Sequence, residues 1–122
     1  MRYEVTEADT ASALGSGDVP VLATPRLIAW LEAATVASAA PLLRAASQTT
    51  VGTAVRVQHR RPTRVGGWVE VAAEPSATSG DRLTFTVRAT DGSGRVVAEG
   101  EIDRAVVDRE QFLDRAPKPT AE

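Results

Sequence analysis

The chain of 122 residues has no cysteine and a single histidine, His59. Those two shortages exclude a thiolate zinc site, an iron–sulfur cluster, a nucleophilic cysteine and a disulfide framework. One imidazole without thiolates is also a poor ligand set, so no metal is expected. Aromatic residues make up only 4% (Tyr3, Trp30, Trp68, Phe85 and Phe112), too few for the stacking platforms of single-strand binders. Positive charge is not in excess: the formal net charge of -2 gives no overall attraction to phosphate backbones or acidic membrane surfaces. Neither nucleic acid nor membrane is therefore an expected partner. No long apolar run goes uninterrupted, since Leu27 to Ala46 contains Glu32, Pro41 and Arg44 and reads as a core helix. Met1 to Thr10 carries acids where a signal peptide needs a basic and then an apolar segment, which makes the cytoplasm the expected location.

What is present suits an ordinary globular chain, with 43% hydrophobic and 25% charged residues. Its length fits a single domain, placed at residues 1–116, with the proline-containing 117–122 as a flexible tail. After a short strand near Tyr3 to Val5, residues 7–19 are small, polar and without period, and read as a mobile loop. Thr24-Pro25 opens a helix running to about Ala40, with the threonine as cap and Pro41 kinking or ending it. Leu27, Ile28, Leu31, Thr35, Val36, Leu42 and Leu43 fall on one arc, and many alanines keep the helix thin.

From Thr50 the period becomes two, and four strand-like segments follow, separated by Gly-rich turns. In the first, Val51, Val55, Val57 and His59 share one face and Gly52, Ala54, Arg56, Gln58 and Arg60 the other. One helix followed by an antiparallel meander is an α+β arrangement in which the helix covers one sheet face.

Two titratable groups interrupt the apolar pattern. Glu32 falls inside the helix's arc, so its carboxylate either faces the sheet and needs a partner, or sits at the arc's edge and reaches solvent. His59 stands at the core margin, as a hydrogen-bonded filler or as an acid/base group. Gly52 within a strand points to a bulge or a close backbone approach. Arginines number 13 against one lysine, and Arg56, Arg60, Arg61 and Arg64 gather at one strand end, either as a solvated edge or as forks for phosphate oxygens.

The stretches VLATPRLIAWLEAA, TTVGTAVRVQH and GEIDRAVVD together resemble the fluoroacetyl-CoA thioesterase-like branch of the hotdog superfamily, over roughly Val19 to Phe112. The resemblance rests on a threonine eight positions before a helical glutamate (Thr24, Glu32) and a glycine seven before a histidine (Gly52, His59). It implies a curved antiparallel sheet wrapped around one long central helix, and a homodimer with acyl-CoA sites at the interface. It further implies catalytic roles for Thr24, Glu32 and His59, a thioester beside Gly52, and Arg104 near the CoA. Ala23, Leu27 and Ile28 become candidates for the pocket wall, and Arg60, with Arg61 or Arg64, for CoA contacts.

The implied reaction is acyl-CoA hydrolysis of a small or medium acyl group, with coenzyme A present only as part of the substrate. One departure bears on selectivity: the fluoroacetyl-specific member carries phenylalanine in the lid before the helix, and residues 7–23 here contain no aromatic at all. The alternatives are a non-catalytic acyl-CoA-binding protein, a hotdog hydratase or dehydratase, and a structural dimer in which Glu32 and His59 form a buried pair.

Overall fold

A computed structural model describes residues 1–120; residues 121 and 122, the end of the expected tail, lie outside the described residues. Five strands, β1 (Arg2–Glu4), β2 (Gln48–His59), β3 (Trp68–Ser79), β4 (Arg82–Asp91) and β5 (Val96–Asp108), form one antiparallel sheet in the order β1-β3-β4-β5-β2. Three helices accompany them: α1 (Ala11–Leu14), the long α2 (Thr24–Ala39) and α3 (Arg109–Asp114). Alternation builds β4 as expected, with Leu83, Phe85, Val87 and Ala89 buried against α2 and Arg82, Thr86 and Arg88 outside. Leu27 and Leu31 of α2 complete the core against Val69, Val71 and Ile102, each such side chain worth about 1.5–3 kcal/mol when fully buried. Tyr3 of β1 stacks on Trp30 of α2 with ring centroids 4.4 Å apart, closing the far side of the sheet over the helix. Described residues 117–120 carry no helix or strand.

Four local expectations change. Residues 7–19 are not a loop without structure: Glu7–Asp9 forms a 3-10 turn, and Thr10 caps α1 by accepting from the Ala13 N–H at 3.2 Å. The segment is tied down, because the Ala23 N–H donates to the Asp9 carbonyl and Arg26 pairs with the Asp9 carboxylate at 3.0 Å. Thr24 is not the cap of α2. Ala23 holds that position in extended conformation, and Thr24 is the first helical residue, with its hydroxyl left for other work.

Pro41 does end the helix, in a 3-10 turn over Ala40–Leu42, but Val36 and Leu42 of the expected arc are exposed. The helix lies chiefly on β3, with lesser contact to β2 and β4.

The fourth change is in β2. Gly52 pairs with Arg104 and Ala54 with Asp103, so Thr53 is an extra residue, a β-bulge. Before the bulge Thr50 and Gly52 share the parity of the inward Arg104; after it Val55, Val57 and His59 share that of Ile102 and Ala98. Val51 therefore leaves the expected inner face and Gly52 joins it. Gly52 and His59, seven residues apart, would face opposite sides of a regular strand. The bulge brings both to the helix side.

Candidate active site

The start of α2 and the end of β2 meet at one corner of the sheet. There Thr24 Oγ1 and His59 Nδ1 form a hydrogen bond of 2.8 Å in which either can donate, depending on the imidazole tautomer. The other ring nitrogen, Nε2, is buried and has no hydrogen-bond partner among the described residues. Burial of the ring is the main cause that holds the His59 pKa below its ordinary 6.5. That shift favours the neutral imidazole, which can accept a proton. A cleft of about 360 Å³ opens beside this pair, lined by Ala11, Val19, Val21 and Leu22 as well as by Thr24 and His59.

Glu32 belongs to a second cluster. It lies two turns further along α2, about 12 Å down the axis at 1.5 Å per residue. Its carboxylate reaches the sheet, as one of the two sequence readings had it: a Cβ on Gly52 would stand 2.7 Å from Glu32 Oε2. The bare glycine backbone is the floor on which that carboxylate rests. Glu32 Oε2 is 3.7 Å from Arg104 Nη1, and the side chains are 39% and 7% exposed respectively. The acid is therefore open and the guanidinium behind it enclosed.

Arg104 is anchored on Thr50, with Nε donating to Oγ1 at 2.8 Å and Nη2 to the carbonyl at 3.0 Å. Thr35 Oγ1 stands 3.5 Å from Nη1 and itself donates to the Glu32 carbonyl at 2.6 Å. Burial lowers the pKa of Arg104 and the charge of Glu32 opposes that shift; guanidinium stays protonated in either case.

The remaining sequence candidates scatter. Ala23 and Leu27 have no exposed surface and sit in the core behind the helix start, while Ile28 is half-buried. Arg60 lines the cleft beside His59 and pairs with Glu99 at 3.6 Å across the neighbouring strand. Arg61 lines the same cleft. Thr35 and Thr50 were not singled out from the sequence. Their signal was weak, a threonine at an inward position of the helix and another of the strand.

Comparison with known proteins gives this geometry a context. Residues 5–110 match the family model described as FlK, fluoroacetyl-CoA-specific thioesterase. The fluoroacetyl-CoA thioesterase of Streptantibioticus cattleyicolor is 36% identical over 100 residues, covering 82% of this chain and 70% of that protein. A solved mutant of the fluoroacetyl-CoA-specific thioesterase FlK, in complex with fluoroacetate and CoA, superposes with a TM-score of 0.84 at 30% identity, covering 92% of this chain and 93% of that one. A Thermus thermophilus member of the thioesterase superfamily shares the fold, with a TM-score of 0.85 at 23% identity over 93% of this chain and 83% of that one. The chain belongs to the fluoroacetyl-CoA-specific thioesterase family and is an acyl-CoA thioesterase of the hotdog fold.

Proposed function

We propose that Thr24, Glu32 and His59 carry the hydrolysis, and that the substrate is a small or medium acyl-CoA released as free acid and CoA. The observation that carries this reading is the Thr24–His59 hydrogen bond at the rim of the cleft. A hydroxyl paired with a neutral imidazole can orient the acyl group or the attacking water and move a proton to or from it. Glu32 acts as general base or as carboxylate nucleophile. Water gives a proton to the base, Glu32 or the His59 imidazole, its oxygen ends on the acyl carbon, the carbon–sulfur bond breaks, and the departing thiolate takes that proton back when it needs one. Backbone N–H groups at the start of α2 or at Gly52 are the candidate donors to the oxyanion. No cofactor or metal enters this scheme, and coenzyme A enters only as part of the substrate.

Two features support a homodimer with the sites at its interface. Glu32 and the Thr24–His59 pair are two helical turns apart within one chain, and β2 is an outer strand of 12 residues whose Val55 is 41% exposed, while Val36 of α2 is 50% exposed. Arg60 and Arg61 at the cleft are the candidate contacts for CoA phosphates. Residues 1–116 are read as one functional unit, in the cytoplasm.

The cleft supports the proposed acyl range. Its volume falls within the span of small-molecule pockets, about 300–1,000 Å³, and the segment above it, residues 7–23, has no aromatic side chain to narrow it. The test is thiol release from acetyl-, fluoroacetyl-, butyryl-, octanoyl- and benzoyl-CoA side by side. The reading requires turnover with unfluorinated acyl groups at rates comparable to or above that with fluoroacetyl-CoA. Turnover of fluoroacetyl-CoA alone would contradict the acyl range. Binding of acyl-CoA by calorimetry with no turnover would leave a carrier or sensor in place of the enzyme.

A further inference from the structure

We infer that Arg104 is a positioning residue that holds the Glu32 carboxylate against Gly52, and not a contact for CoA. The inference rests on the reading of Glu32 as the reacting carboxylate. Three elements converge on that carboxylate. Glu32 comes from α2, Gly52 from β2, and Arg104 from β5, directly opposite Gly52 in the strand register. Glycine at position 52 lets the carboxylate rest there, because a Cβ would lie 2.7 Å from Glu32 Oε2, while Arg104 Nη1 at 3.5 Å would remain in ordinary contact.

The guanidinium is already engaged on its inner side. Two of its three nitrogens donate to Thr50, and the third stands between Thr35 and Glu32. Only 7% of the side chain meets solvent, against 39% for Glu32, so a ligand arriving from solvent meets the acid first. Arginine suits the task because its planar fork serves Thr50 and Glu32 at once, whereas a lysine ammonium supplies the charge without the fork.

The test is a cycle of Arg104→Met and Arg104→Lys, each in the wild-type and the Glu32→Gln backgrounds, reading kcat, KM and the calorimetric Kd for free CoA. Arg104→Met is expected to lower kcat about tenfold or more in the wild-type background and to cost nothing further once Glu32 is Gln. KM and the CoA Kd stay within about twofold, and Arg104→Lys restores part of kcat. An equal loss of kcat in both backgrounds, or a rise of about tenfold in KM or the CoA Kd, would overturn the proposal. Full activity in Glu32→Gln alone would remove the reading of Glu32 before any Arg104 variant is compared, and the positioning role with it. Should Arg104→Met fail to fold, Thr50→Val takes away the acceptor of Nε while keeping the charge. It is expected to lower kcat only when Glu32 is present, and an unchanged kcat there would overturn the role.

Discussion

Gly52 is the residue whose chemistry is most easily mistaken for backbone economy. A methyl group placed on it would collide with the Glu32 carboxylate, yet that carboxylate is the end of a flexible, partly exposed side chain that can swing away. Gly52→Ala is therefore expected to keep the fold, with melting within a few degrees of wild type, while thiol release falls about tenfold or more. His59 makes a second prediction at this scale. Its pKa is lowered by burial in the folded chain, so the unfolded chain binds the proton at higher pH. Acidification from pH 7 then favours unfolding, and stability falls as pH drops below about 6.5. Because His59 is the only histidine, thermal melts between pH 7.5 and 5.5 should slope for wild type and flatten for His59→Asn. An unchanged slope in the variant would assign the titration elsewhere.

At the scale of elements, what could be read in the sequence follows the rule that one buried face imposes a period. β4 shows it most cleanly, since Leu83, Phe85, Val87 and Ala89 all face the helix. α2 was readable in extent and in Leu27, Leu31 and Thr35, which are buried as the expected arc requires, but Val36 of the same arc is exposed, so apolarity alone did not mark the inside. Thr24 looked like a cap because Thr-Pro is a common helix start; it became available to His59 only because Ala23, held by the Asp9 carbonyl, took the cap position. The bulge at Thr53 changes the parity of β2 without changing its composition, and no alternation pattern signals it. The two short turns in residues 7–14 depend on hydrogen bonds to Val21 and Ala23, which local sequence does not reveal.

β2 also carries a prediction of its own. As the proposed dimer edge, it should not tolerate charge at Val55, which is inward by register yet 41% exposed. Val55→Lys is expected to halve the mass measured by light scattering and to remove most thiol release while preserving the far-UV spectrum. A wild type that is monomeric and active would contradict the interface reading.

At the scale of the whole molecule, the fold gathers residues that the chain keeps far apart. Thr24 and His59 are 35 positions apart in sequence, and Thr50 and Arg104 54, yet each pair is joined by a hydrogen bond of 2.8 Å. The spacing of Thr24 to Glu32 and of Gly52 to His59 was legible as a family pattern; the division of those four residues into two clusters was not, because it depends on helix rise and on the bulge. The central claim is that these clusters hydrolyse a thioester. The most direct test is thiol release from the preferred acyl-CoA by wild type, Glu32→Gln and His59→Asn, with melting temperature and CoA affinity measured on the same preparations. The account predicts a loss of about 10²-fold or more in each variant with fold and CoA binding retained. Glu32→Gln turning over at the wild-type rate would contradict it.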